Sequence, residues 1–342
     1  MKNVSERSSL ENLRSSWRKM VAPYQYSDLR RSLGQLANSL LPYLALWVLM
    51  IFSLRVSYWL TLVLIIPAAG FLVRLFIIFH DCGHGSFFKS TTANRRVGFF
   101  LGLLVFTPSD SWWHAHAVHH ASAGNLDKRG VGDVMTMTVE EYQKASPWQR
   151  FSYRFFRHPA VLLGLGPFFT FLIAPRFPTA ASSKSDRRSI WLTDLALLVV
   201  FAVMSLLIGV KEYLIIQIPV MWLAGAIGIW MFYVQHQFEN VYWARSSEWD
   251  YTRAALEGAS FYRLPRVLQW FTGNIGFHHI HHLSPRIPNY FLEKCFKENP
   301  ALAAPVTINF LTALKTIPLR LWDEQTRRMV GFRALKARPK SA

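Results

Sequence analysis

The sequence predicts an all-α, polytopic membrane protein with four transmembrane helices, interfacial helices and a cytoplasmic histidine-rich cap. Four observations carry that prediction. The chain has 342 residues, 51% of them hydrophobic and only 17% charged, where an ordinary soluble domain carries about 25% charged residues. Mean hydropathy is positive, at +0.17. Four apolar segments are long enough to cross a bilayer, which takes about 20 residues per helix. Most of the 12 histidines fall in tight clusters beside greasy sequence.

Residues 1–38 read as a cytoplasmic N-terminal segment. The opening "MKNVSERSSLENLRSSWRKM" lacks the short apolar core of a cleavable signal peptide, so the first hydrophobic segment is expected to stay in place. Spans are predicted at about 39–54 and 58–79, joined by "RVS", and at about 190–210 and 213–235, joined by "KE". Pro67 and Pro219 lie mid-span, where membrane helices tolerate a kink. The run 97–106 is too short to span, and 160–174 is interrupted by Gly164, Gly166 and Pro167. Both are expected to be interfacial or re-entrant. With no linker and no internal repeat, 39–295 form one membrane domain and 296–342 a basic cytoplasmic tail. Two cysteines, Cys82 and Cys295, offer no disulfide framework.

A formal net charge of +18 would suggest nucleic acid in a soluble protein. Here the basic residues flank apolar runs, and no nucleic-acid partner is expected. Arg7, Arg14, Arg18, Lys19, Arg30 and Arg31 precede the first span. Lys128, Arg129, Lys144, Arg150, Arg154, Arg157, Arg187 and Arg188 lie between the second and third. The hairpins hold only Arg55 and Lys211. The positive-inside rule then places both termini and the central region in the cytoplasm. By that parity His80, His236 and the clusters at 114–120 and 278–282 all lie on one side, as a single site requires.

Residues three and four apart share a helix face. His80 and His84 are i and i+4, while His116, His119, His120 and His278, His281, His282 each fit i, i+3 and i+4. Such spacing gathers imidazoles as a metal site does, and imidazole suits zinc, copper, iron and nickel alike. These eight histidines with His236 exceed one metal's capacity and suit two. His114 and His279 fall outside the repeated spacing and are expected to be supporting or surface groups. His158, before a proline in a basic loop, is expected to be a polar anchor.

"HDCGH" at 80–84, "HAVHH" at 116–120 and "HHIHH" at 278–282 resemble the three histidine boxes of the membrane fatty acid desaturases. The three-residue gap of the first box, with "HDCGHGSFF", "YVQHQFEN" and "SSEWD", is similar to the Δ12/ω-6 acyl-lipid type. The resemblance runs from about residue 70 to 295. It implies a centre of two non-haem iron ions held by the boxes, with O2 as co-substrate and the diiron centre itself as the catalyst. It also implies one further histidine ligand between boxes two and three, for which His236 is the candidate. No cytochrome b5 sequence is fused to the chain, so electrons are expected from a separate ferredoxin or cytochrome b5-type donor, docked by the basic surface. The substrate is expected to be a membrane lipid or other acyl chain reaching the metals through an apolar tunnel, and the address a bacterial plasma membrane.

Asp81 is a candidate to hold a ligand imidazole through its second nitrogen. Glu239, Glu248 and Asp250 are candidates of the same kind, and Asn274, four residues before His278, is a candidate to hold a metal-bound water. Cys82 is expected to pack, and Arg74, inside the second span, to snorkel to the interface. Trp112, Trp113 and "WMFYV" at 230–234 read as an aromatic belt, or else as tunnel lining. An acyl hydroxylase, an acetylenase or a carotenoid oxygenase would use the same scaffold. A histidine-rich metal transporter would need ionisable residues along its spans, where the third and fourth offer only Asp194.

Overall fold

The computed structural model describes residues 16–303 and 306–337. Arg7 and Arg14, and the end of the predicted tail, lie outside the described residues. Among the described residues, after a helical stretch at 16–21, the α-helices in chain order are α1 (Leu29–Ser53), α2 (Tyr58–Gly83), α3 (Thr91–Leu104), α4 (Ser109–Ser122), α5 (Val139–Lys144), α6 (Pro147–Phe156), α7 (Lys184–Ile208), α8 (Val210–His236), α9 (Tyr251–Glu257), α10 (Arg266–Phe271), α11 (His278–Leu283), α12 (Asn289–Glu298) and α13 (Phe310–Leu314). The fold is all-α and polytopic, and α1, α2, α7 and α8 are long and apolar enough to cross a membrane. The stretch 147–176 counts as a fifth if taken as one broken span; it bends by 62° between its two halves. Its second half includes the π-helical turns Val161–Leu165 and Phe168–Ile173, on either side of Gly166 and Pro167.

The helix bounds correct the sequence expectations in three places. The first helix begins at Leu29 rather than near residue 39, because Asp28 caps it by accepting the Arg31 N–H. Its opening turns bury Ser32, Gln35 and Ser39 against protein, so hydropathy passes over them. The second helix runs on to Gly83 and carries His80, Asp81 and Cys82 with it. The turn between α7 and α8 is the single residue Gly209 at φ 98°, a left-handed conformation that suits glycine. Lys211 and Glu212 therefore belong to the first turn of α8 rather than to a hairpin loop.

α2 is the centre of the bundle and packs on α1, α3 and α8. Ala68, Ala69, Leu72, Leu75, Ile78 and Phe79 are all buried along it. α7, by contrast, leaves Trp191, Leu195, Leu198 and Leu206 exposed, as a lipid-facing helix does. Trp113 locks α4 against α2 and α3. A Cβ on Gly83 would lie 2.2 Å from its Cδ1, and a Cβ on Gly98 2.4 Å from its Cζ2. Small residues let helices approach closely in a membrane, where packing replaces the hydrophobic drive.

Among the described residues, five short strands close the histidine-bearing end: β1 (Met137–Thr138), β2 (Phe261–Arg263), β3 (Thr307–Asn309), β4 (Leu321–Asp323) and β5 (Arg328–Val330). One sheet has the order β1–β4–β5, and β2 pairs with β3. The region expected as a tail from residue 296 is thus folded onto the domain, with Leu302, Ile308, Trp322 and Met329 in its core. Its basic residues hid those apolar anchors.

Candidate metal centre

Four helix segments deliver the histidines. α2 carries His80 in its last turn and is capped by His84, α4 carries His116, His119 and His120, α8 ends at His236, and α11 carries His278, His281 and His282. They gather into two adjoining groups. His80, His84, His116, His120 and His281 form one, and His119, His236 and His282 the other, with the nitrogens of each group within 4.8 Å of one another. His278 joins the second, its Nε2 standing 2.9 Å from that of His236 and 3.1 Å from that of His282.

Each H-x-x-H-H run serves both groups. The i, i+4 pair His116 and His120 faces the first, while His119 faces the second; His278 and His282 face the second, while His281 faces the first. Neighbouring residues on an α-helix are rotated by about 100°, so adjacent histidines diverge. The runs were expected to offer their imidazoles in one direction, and the structure corrects this.

The donor set fits metal ions. His116 and His120 approach through Nε2 at 3.1 Å, and His120 and His281 at 3.0 Å. Two nitrogens in adjacent positions about 2.1 Å from one ion stand about 3 Å apart. The buried Nε2 atoms of His84 and His119 have no hydrogen-bond partner among the described residues, and orphaned buried polar atoms are rare unless something else satisfies them. Burial first, then the neighbouring imidazoles, holds His116, His120, His281 and His282 well below the ordinary histidine range. They are neutral, as ligation demands.

The far nitrogens are held by protein. His80 donates through Nδ1 to Asp81 Oδ1 at 3.0 Å, His119 to Asp133 Oδ1 at 2.7 Å, and His236 to the Gly258 carbonyl at 3.2 Å. Each such bond fixes the tautomer and turns the Nε2 lone pair inward. Asp81 is 1% exposed, and its Oδ2 accepts from the backbone and side-chain amides of Asn289 at 2.7 and 2.8 Å. Gln35 donates to Asn289 in turn at 2.8 Å. Polar positions on the opening turns of α1 thus support a histidine at the end of α2.

Asp133 was missed by the sequence reading. It follows Gly130 and Gly132, both at positive φ, in an irregular loop that gives no periodic signal. The other candidates sit elsewhere. Glu239 is exposed beside Arg328 at 3.7 Å, and Asp250 caps α9 through the Arg253 N–H. Asn274 bonds Gln269 and the Asn289 carbonyl. Glu248 bonds Arg327 at the surface. His114 meets Asp186 at 3.0 Å, half-exposed, and His279 is fully buried beside Phe261 and Phe296, where burial pushes it down to about 3. His158 is exposed and accepts the Ala160 N–H. Cys82 is buried against α3, near Gly98.

Two expectations fail on packing. Arg74 does not snorkel: it is buried, donates to Ser39 Oγ at 3.0 Å and to the Trp270 carbonyl, and lies over the Trp270 ring. The aromatic clusters are not an interfacial belt. Trp112 stacks on His116 at 4.5 Å, and Phe232 lies 5.2 Å from His119 and 4.9 Å from His236. From Trp112 the aromatic contacts continue through Phe76 to Phe171. Beyond, Leu172, Phe106, Tyr213 and Met221 line a cavity of about 220 Å³.

A family profile described as "Fatty acid desaturase" matches residues 57–311. A protein named "Fatty acid desaturase" in Bacillus subtilis is 46% identical over 323 residues, covering 94% of this chain and 92% of that one. The endoplasmic-reticulum omega-3 fatty acid desaturase of Vigna radiata is 28% identical, over 68% of this chain and 62% of its own. A chloroplastic sn-2 acyl-lipid omega-3 desaturase (ferredoxin) of Helianthus annuus is 30% identical, over 64% of this chain and 50% of its own. The chain belongs to the fatty acid desaturase family of membrane oxidoreductases.

Proposed function

We propose that the protein is an O2-dependent acyl-lipid desaturase of the Δ12/ω-6 type, introducing a cis double bond into a lipid-linked monounsaturated chain at a centre of two non-haem irons. The observation that carries this is the sorting of nine histidines into two adjoining groups whose inner nitrogens face one another. His80, His84, His116, His120 and His281 would hold one ion, and His119, His236, His278 and His282 the other. Two irons with O2 supply an oxidant able to remove hydrogen from an unactivated methylene, which no side chain can do.

The rest belongs to the chain's own residues. Asp81, Asp133 and the Gly258 carbonyl orient His80, His119 and His236. Trp112 and Phe232 cover the imidazoles with apolar surface and exclude water. The acyl chain is positioned along Trp112, Phe76 and Phe171, with the cavity beside Leu172 taking its far part. α2 and α8 both end in histidines at one end of the bundle, and the turns at Arg55 and Gly209 lie at the other ends of these helices. That arrangement with the positive-inside rule supports a cytoplasmic centre in a bacterial plasma membrane. A separate donor, ferredoxin or cytochrome b5-type, supplies electrons; the sunflower relative's name includes ferredoxin.

Expression in cells rich in monounsaturated lipid, followed by gas chromatography–mass spectrometry with derivatisation, tests the reaction and the bond position. A new diunsaturated acid with its second bond at Δ12, absent with His119→Ala, is the expected result. A hydroxylated product, or a bond elsewhere, overturns the reaction or the position.

A further inference from the structure

We propose that the cleft between α3, the start of α4 and the start of α7 binds the phosphate of an anionic glycerophospholipid, at a site separate from the histidine centre. The cleft holds about 570 Å³, within the range of small-ligand sites. Its wall changes character along its length. On α3, Arg95 and Arg96 are followed one turn later by Phe99 and Phe100; on α7, Arg188 is followed one turn later by Leu192. Both helices therefore pass from cationic to apolar over the same stretch of cleft, as a wall at the boundary between headgroups and acyl chains does. Phe100 is 66% exposed, so the apolar end opens outward where lipid lies.

The charges are unbalanced in favour of an anion. Asp110 is the one carboxylate in the wall, and its Oδ2 accepts from Arg95 at 3.3 Å and from Ser185 Oγ at 2.7 Å. The neighbouring Arg187 is turned away, bonded to the Ser182 and Thr179 carbonyls. Arg96 and Arg188 have no ion pair or side-chain hydrogen bond among the described residues. Guanidinium groups suit phosphate oxygens, often through two parallel hydrogen bonds. A free phosphate would need only these cations. The phenyl and leucyl surface beside them fits the glycerol and upper acyl carbons of a lipid.

A lipid phosphate here would join α3 to α7 from outside, while Trp113 lies between the cleft and the histidines further along α4. The inference rests on membrane residence and not on metal content or acyl substrate, so its failure is distinguishable from failure of the desaturase reading. Native mass spectrometry of the delipidated full chain in detergent, titrated separately with phosphatidylglycerol, phosphatidylcholine and inorganic phosphate, tests it. Phosphatidylglycerol is expected to bind ahead of phosphatidylcholine and to resist displacement by inorganic phosphate. The double variant Arg96→Gln/Arg188→Gln is expected to weaken it about twenty-fivefold, from two cationic contacts of about fivefold each. Lys294→Gln/Lys297→Gln, which removes the same charge from α12, is expected to leave affinity unchanged. If the double variant does not fold, each single Arg→Gln variant is expected to show its own fivefold share. Equal affinity in the arginine variants and the unaltered chain, an equal loss in the lysine control, or displacement by inorganic phosphate would each overturn the proposal.

Discussion

His119 and His120 are neighbours in sequence yet face different groups, and His281 and His282 repeat the arrangement with the groups exchanged. Each helical run thereby ties the two groups together, so losing one imidazole is expected to disturb both. The carboxylates behind them have separable roles. Asp81→Ala leaves two amide donors of Asn289 and the His80 Nδ1–H without their acceptor inside the protein. It is expected to destabilise the fold by about 3 kcal/mol, read from the detergent-solubilised unfolding midpoint. Asp133 bonds only His119 among the described residues, so Asp133→Asn is expected to leave stability nearly unchanged. It should instead lower metal affinity about 10–100-fold, measured by competition with a chelator. An unaltered affinity would remove Asp133 from the site.

At the scale of elements, the seat of α4 rests on two missing side chains. Gly98→Leu places carbon where the Trp113 indole lies, and overpacking of this kind costs about 1–3 kcal/mol. The variant is expected to lose metal along with stability, because α4 carries three of the nine grouped histidines; Trp113→Ala in the same chain should recover part of the loss. Full metal content in Gly98→Leu alone would show that α4 is positioned by other contacts. The same elements show what sequence can disclose. Apolar length marked the four long helices, and histidine spacing marked the side chains that gather into the two groups, since both signals are local. The opening of α1 escaped because Ser32, Gln35 and Ser39 are polar residues buried against protein. Asp133 escaped because a loop has no period, and Arg74 because its partners Ser39 and Trp270 are distant in sequence.

The whole molecule gathers its histidines at one end of a bundle whose flanks are apolar, with a strand-bearing layer folded over that end. Both native cysteines are buried, so single introduced cysteines can report sidedness. Arg55→Cys is expected to react with an impermeant maleimide added outside intact cells, and Arg150→Cys only after permeabilisation. The reverse pattern would place the centre outside the cytoplasm. The two histidine groups would hold two ions, and the metal content of the full chain purified under reducing conditions, with Mössbauer spectroscopy of 57Fe-grown material, measures this directly. Two irons per chain are expected, in nitrogen-rich sites, with both populations diminished in His119→Ala. One ion per chain, or zinc in place of iron in an active preparation, would contradict it.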